Sequence, residues 1–223
     1  MRSNPKAILE KLKQQYPKPA VFLKHANPLE LLVATILSAQ CTDAQVNRIT
    51  KKLFQKYRKL EDYVNANPRT FEKEIKSTGF FRQKTKNILA AAKKIKKEFN
   101  GKVPNTMNKL LTLPGVGRKT ANIVLSRGFG KNEGIAVDTH VKRLSLRLGL
   151  SKNTIPEKIE TDLMKLALPG EYAWLSSALI LHGRKTCRAR NPACVHCFLN
   201  KACPSAFTFS PTNQTHKFLR IQQ

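Results

Sequence analysis

Apolar residues recur three or four positions apart along almost the whole chain, and this spacing leaves little room for anything but helices. Leu29, Leu32, Val33 and Ile36 mark one such face, and Ile88, Ala92, Ile95 and Phe99 mark another. No stretch alternates apolar and polar residues as a half-buried strand would. Helix starts are signalled as well. Thr42 with Gln45 and Thr154 with Glu157 fit reciprocal capping, Asn67 stands before a first-turn Pro68, and Asn105 caps a short helix ahead of Leu113. The expectation is an all-α chain of about ten short helices, with segments of ~11–12 residues joined by brief loops. Tyr172 to Leu181 is apolar on nearly every face, so its helix is expected at the centre of its domain.

Charge narrows the choice of partner. Among 223 residues, 41 are Lys or Arg and 14 are Asp or Glu, a net +27. The sequence pI is near 10.3. Such a balance favours a polyanion, with nucleic acid first in line. A membrane partner has no support, because the most apolar window, Tyr172 to Leu181, is too short to span a bilayer. The start of the chain lacks the apolar core of a signal peptide and the pattern of a transit peptide, so the protein is expected inside the cell, in the cytoplasm with the nucleoid if bacterial. Four of the five cysteines lie between positions 187 and 203. In a reducing compartment such a group points to metal ligation rather than disulfides. Beyond Cys203 the composition turns to Ser, Thr, Asn and Gln, and residues 205–223 are expected to form a loose tail.

Three segments carry chemistry. The first is Leu113-Pro114-Gly115-Val116-Gly117-Arg118-Lys119-Thr120, between a short helix and an apolar helical run. Two glycines permit a tight turn, close approach of another molecule and amides aimed outward at a helix N-terminus, a combination suited to phosphate. Glycine-x-glycine alone fits an ordinary helix-to-helix turn better. The second is Val137-Asp138-Thr139-His140-Val141, an acid among apolar neighbours where an N-cap is also expected. The third is Cys187, Cys194, Cys197 and Cys203, spaced Cys-x6-Cys-x2-Cys-x5-Cys. Four thiolates suit zinc or an iron–sulfur cluster, and ligand type does not separate the two. Cys41 falls outside the group and reads as a small buried residue.

The hairpin string, the aspartate segment and the cysteine loop, in that order, resemble the endonuclease III family of helix-hairpin-helix DNA glycosylases. The resemblance runs from about Pro28 to Cys203. It implies a bifunctional DNA glycosylase and AP lyase that excises oxidised pyrimidines and cleaves 3′ to the abasic site by β-elimination. Lys119, just after the hairpin, matches the family's nucleophile. An amine can attack the sugar C1′ and form a Schiff base, which a serine or a water cannot do. Asp138 matches the catalytic aspartate, whose charge would stabilise a cationic deoxyribose and help supply the amine in its neutral form. The cysteine spacing resembles that of a [4Fe-4S] loop. The basic residues around it, Arg184, Lys185, Arg188, Arg190 and Lys201, would shape a phosphate-binding surface.

A glycosylase must fill the gap left by the nucleotide it extrudes. Gln40 matches the family segment that supplies a polar plug, and Phe80, after Gly79, lies where a wedge is expected; Phe80 and Phe81 read equally well as core aromatics. Gly115, Val116, Gly117, Arg118 and His140 complete the expected DNA contacts, with helix packing the other reading of His140. The run Arg82, Lys84, Lys86, Lys93, Lys94, Lys96 and Lys97 reads as a backbone-binding flank or a solvated face. Family architecture implies a two-lobed helix-hairpin-helix fold: residues 22–131 as the hairpin lobe, residues 1–21 with 132–204 as the cluster lobe, and DNA across the cleft between them. The expected partner is double-stranded DNA bearing damaged bases or abasic sites, bound by a monomer. An adenine glycosylase acting on mispairs shares the hairpin and cluster, but such relatives generally lack a lysine at the position of Lys119. A non-catalytic DNA-binding module and a small electron carrier are the readings outside that class.

Overall fold

A computed structural model describes residues 4–19 and 22–209. Among them there are eleven α-helices and no strand: α1 (Pro5–Gln15), α2 (Pro28–Leu37), α3 (Asp43–Lys56), α4 (Leu60–Val64), α5 (Pro68–Ile75), α6 (Phe81–Glu98), α7 (Met107–Leu111), α8 (Arg118–Ile123), α9 (Thr139–Arg147), α10 (Pro156–Leu166) and α11 (Tyr172–Lys185). The all-α expectation holds. The chain divides into two compact units, one contiguous over Val21–Glu133 and one formed by Met1–Ala20 with Gly134–Gln223.

In the contiguous unit α2 is the central helix, with every residue from Leu31 to Leu37 buried. Asn27 caps it by accepting from the Glu30 amide at 2.9 Å, ahead of Pro28 in the first turn. Below it Tyr57, Tyr63 and Phe71 pack ring to ring, with centroids 5.1 to 6.1 Å apart. Each such buried ring contributes roughly 1.5–3 kcal/mol through the apolar area removed from water. On α6, Ile88, Leu89, Ala91, Ala92 and Ile95 face the same core. After α8 the chain continues as a π-helical turn, Val124–Gly128, a local widening of the helix.

The split unit is organised around α11, whose Tyr172, Leu175, Ala178 and Leu179 are buried, as the apolar run predicts. Helix α1 returns to it across 158 residues of sequence: the Trp174 indole donates to the Tyr16 carbonyl at 2.7 Å, and Lys13 pairs with Glu171. Helices α9 and α10 supply Val141, Leu144, Ile159 and Leu163. The backbone leading into α9 is fixed at two points, where Ser176 donates to the Ala136 carbonyl at 2.7 Å and the buried Glu160 accepts from the Ile135 amide at 3.2 Å.

Some expected boundaries shift. Thr42 caps α3 through the Gln45 amide at 3.3 Å, but the Gln45 side chain does not return the bond and reaches Ser77 instead. Ile155, not Thr154, precedes α10, because Pro156 takes the first helical position and has no amide hydrogen that needs an acceptor. Thr106, not Asn105, precedes α7, and the Asn105 carbonyl accepts from Lys131 at 2.8 Å. Asn67 caps α5 as expected. Residues 205–209, placed by composition in a loose tail, form turns. There Phe209 supplies a ring against the Arg147 guanidinium, 4.1 Å away, an anchor that the average polarity of the segment hides. Residues 210–223 of that expected tail lie outside the described residues.

Candidate functional site

The hairpin between α7 and α8 is held at both ends by the core. Leu113 and Val116 are buried, and the Val116 amide donates to the Leu113 carbonyl at 3.1 Å, closing the turn. The Val116 side chain therefore belongs to the core and not to a ligand-facing surface. Gly115 sits at φ +78°, and a Cβ there would lie 2.8 Å from the Asn87 side chain of α6. Conformation and space both require glycine. Gly117 differs: its backbone is extended, it precedes α8 directly, and a Cβ would meet nothing within 4 Å. Arg118 and Lys119 follow as the first two residues of α8, both exposed. The arrangement presents first-turn amides and a primary amine at the mouth of one tight turn, a setting favourable to an anionic group.

Two further turns of the same unit carry Gln40 and Phe80. Gln40 is exposed at φ 52°, in a turn closed by the Cys41 amide on the Ser38 carbonyl at 3.1 Å. Phe80 stands at φ 48° with 65% of its surface exposed, whereas Phe81 packs against the core. The two aromatics, indistinguishable in sequence, are thus opposite in environment. Left-handed backbone costs a non-glycine residue about 1–3 kcal/mol and persists only where its surroundings hold it. Of the basic run on α6, Lys86, Lys93, Lys96 and Lys97 are exposed and Lys94 pairs with Glu98 at 3.4 Å. Lys84 departs from the flank reading. It is buried, and it donates to the carbonyls of Leu37 and Thr78, each at 2.8 Å. Burial pushes its pKa down from the ordinary lysine value.

In the split unit Asp138 is the N-cap of α9, its Oδ1 accepting from the Val141 amide at 2.8 Å. One carboxylate oxygen is therefore fixed by the helix, and this bond sets the direction of the other. His140 lies in the first turn of α9 with its Nδ1 3.2 Å from Arg143 Nη2, beside Gly183 of α11. A Cβ at Gly183 would come within 3.0 Å of Arg143 and 3.1 Å of the His140 ring, so this glycine allows α9 and α11 to touch. Arg184 and Lys185 are exposed at the end of α11.

All four cysteines of the loop line one small pocket, together with Arg147, His182 and Phe209. None forms a disulfide. Among the described residues no group of three His, Cys, Asp or Glu side chains stands close enough together to hold a metal ion. Burial pushes the Cys197 and Cys203 thiols up. Two arginines one turn apart on α9 hold the start of the loop. Arg143 donates to the carbonyls of Gly183 and Cys187 at 3.0 and 2.9 Å, and Arg147 to those of Arg188 and Ala189 at 2.7 and 2.9 Å. Behind Cys197, His182 is buried with Nε2 3.5 Å from the sulfur and Nδ1 3.4 Å from the Tyr16 hydroxyl. Desolvation lowers its pKa to about 4, so it stands there as a neutral ring.

Comparison with known proteins gives this geometry a context. A family model described as HhH-GPD superfamily base excision DNA repair protein matches residues 33–169. Endonuclease III of Synechocystis sp. is 53% identical over 199 residues, covering 89% of this chain and 91% of that protein. The chain belongs to the endonuclease III family. Endonuclease III of Bacillus subtilis is 45% identical over 197 residues, 87% of this chain and 89% of the relative. A solved structure of a trapped endonuclease III–DNA covalent intermediate superposes with a TM-score of 0.87 at 40% identity, covering 92% of this chain and 98% of that one. A non-covalent endonuclease III–DNA complex does so at 0.88 and 38% identity, covering 98% and 100%. Membership in endonuclease III makes this chain a DNA glycosylase of base-excision repair. Among its described residues no helix is long and apolar enough to cross a membrane. Reading from sequence missed Arg143, Arg147, His182 and the environment of Lys84. The i, i+4 pair of arginines after the aspartate was the available signal for the first two.

Proposed function

We propose that this endonuclease III family member is bifunctional, removing oxidised pyrimidines and then cutting the strand, with Lys119 as nucleophile and Asp138 as the carboxylate that stabilises the cationic sugar. The observation that carries the assignment is the exposed Lys119 amine in the first turn of α8, directly after an open Gly117. A trapped covalent intermediate is known for a 40%-identical relative, and a covalent intermediate needs a nucleophile of this kind. The neutral amine attacks C1′ as the glycosidic bond breaks, and the base leaves with its electron pair and takes up a proton. The sugar ring then opens to an iminium ion, a proton is lost from C2′, and the bond from C3′ to the phosphate oxygen breaks. Water finally hydrolyses the imine and frees Lys119. The Asp138 carboxylate, held as an N-cap, stabilises the positive charge on the sugar as the base departs.

Gly115 shapes the hairpin, while the backbone at Gly117 and Arg118 binds a phosphate of double-stranded DNA. Gln40 and Phe80 fill the gap left by the extruded nucleotide, and His140, Arg184 and Lys185 add contacts to the backbone. The cysteines hold a [4Fe-4S] cluster. Four soft sulfur donors lining one pocket, in a spacing that resembles the family's cluster loop, fit such a centre. Cys187, Cys194, Cys197 and Cys203 would ligate it. When bound it would cross-link the loop, whose backbone Arg143 and Arg147 of α9 already hold.

Borohydride trapping on lesion-containing duplex tests the reading. Wild-type protein gives a covalent adduct, Lys119→Ala gives none while still binding the lesion, and an adduct formed by folded Lys119→Ala at the wild-type rate overturns the assignment.

A further inference from the structure

The buried Lys84 is not used by the chemistry above, and its position is costly. An ammonium group 4% exposed on α6 has, among the described residues, no carboxylate within ion-pairing distance. A methionine would fill the same volume without the desolvation penalty. What the ammonium adds is two directed bonds, each 2.8 Å, to the carbonyls of Leu37 and Thr78. These acceptors are not arbitrary. Leu37 is the last residue of α2, immediately before the turn that carries Gln40, and its carbonyl is among those that a helix end leaves unpaired. Thr78 ends the 3-10 turn Lys76–Thr78, immediately before Gly79 and Phe80. A second tie joins the same neighbourhoods, since the Gln45 side-chain Nε2 donates to the Ser77 hydroxyl at 2.8 Å and to its carbonyl at 3.3 Å.

Gln40 and Phe80 are both non-glycine residues in left-handed backbone, at φ 52° and 48°. Each would relax to ordinary dihedrals unless the chain on either side were held. We infer that Lys84 is a positioning residue that locks the Gln40 turn and the Phe80 turn into one unit, so that both side chains are presented to the duplex together. The inference rests on the reading of those two residues as gap-filling groups. Lys84 touches neither DNA nor the reacting atoms, and its effect passes through the backbone carbonyls that it holds.

A double-mutant cycle on the full, cluster-loaded protein tests this. The readout is the fluorescence of 2-aminopurine placed beside an abasic-site analogue in duplex DNA, which reports unstacking when protein side chains enter. Circular dichroism and thermal midpoints check folding. Lys84→Met is expected to stay folded and to slow the fluorescence change by about tenfold, as are Gln40→Ala and Phe80→Ala. In the Gln40→Ala/Phe80→Ala background, adding Lys84→Met should cost nothing further, because no side chain remains for it to position. A further tenfold loss in the triple variant, or a wild-type rate for Lys84→Met, overturns the inference and leaves the reading of Gln40 and Phe80 standing. Wild-type rates for Gln40→Ala and Phe80→Ala overturn both. Should Lys84→Met not fold, Lys84→Gln, which keeps one donor, enters the same cycle with the same deciding outcomes.

Discussion

Replacing each hairpin glycine by alanine separates what the turn needs in order to exist from what it needs in order to work. At Gly115 the backbone is at φ +78° and a Cβ would stand 2.8 Å from Asn87 Cβ. The conformational cost of a left-handed alanine is roughly 1–2 kcal/mol. The overlap adds about 1–3 kcal/mol, because the obstructing atom sits next to the α6 backbone and cannot swing away. Gly115→Ala should therefore lose about 2–5 kcal/mol, or lose the hairpin locally while the rest stays folded. Asn87→Gly removes the obstructing Cβ but not the dihedral. It should restore only the steric part of the loss, less the ~1 kcal/mol that glycine costs within a helix. Gly117→Ala has open space around it and an ordinary φ of −97°, so its stability cost should stay below about 1 kcal/mol. If Gly117 marks the point where DNA backbone approaches, its alanine variant should nevertheless bind lesion DNA at least tenfold more weakly, on the order of one lost charge-assisted contact. Urea denaturation gives the first quantity and fluorescence anisotropy the second. The reasoning fails if Gly115→Ala unfolds with the wild-type midpoint and binds DNA normally, or if Gly117→Ala binds as wild type does.

Asp138→Asn should slow base excision by ~10²–10⁴-fold while strand cleavage at a preformed abasic site suffers less, because no glycosidic bond remains to break; equal losses in both assays would place the carboxylate in the lyase steps instead. Binding to undamaged duplex should fall by roughly 10³-fold between 50 and 200 mM salt if about six phosphates are neutralised, and an affinity indifferent to salt would remove the basic surface from the DNA footprint. Anaerobically prepared protein should contain about four iron atoms per chain and absorb in the visible range. Stoichiometric zinc without iron would refute that assignment, and Phe209→Ala should shorten the lifetime of the absorbance in air. Hydrogen bonds from Ser151 and Asn153 hold the Asp162 carboxyl below its ordinary 3.8. The stability it contributes is therefore complete above that pH and lost as pH falls through the lower folded value. Asp162→Asn should flatten this part of the acid-unfolding curve, and an unchanged curve would show that the turn at Ser151 and Asn153 is held by other means.

The helical character of the chain, the capping of α3 and α5 and the burial of α11 were all legible in sequence, because each rests on local periodicity or a side chain bonding three residues ahead. What failed to show was long-range. Lys84 was counted with exposed lysines on the strength of its charge, yet it stands four residues before Ile88 and so in phase with the buried face of α6. Periodicity carried the information, and the habit of placing every lysine in water discarded it. Phe80 and Phe81 could not be told apart because a wedge and a core ring have the same composition; the left-handed backbone after Gly79 distinguishes them. The cysteine spacing picked out four residues around one cavity, but Arg147 and Phe209 reach it from distant or unpromising sequence and left no local pattern. Thr154 lost the cap to Ile155 because proline at the first helical position outweighs the threonine signal.

The division of the chain has a consequence for its birth on the ribosome. The unit of Val21–Glu133 is continuous and can close its core as it emerges, whereas α1 must wait for α11, 158 residues later at the Tyr16–Trp174 bond, before its buried face has a partner. The nascent helix thus passes through a long interval with Ile8, Leu9 and Leu12 exposed to water and to any chaperone that reads apolar helices. Folding of the intervening unit shortens that wait in entropic terms, since it replaces a flexible loop of more than a hundred residues by a compact body. The cysteine loop is made after α11, so its four thiols come together on a scaffold whose helices have already been synthesised.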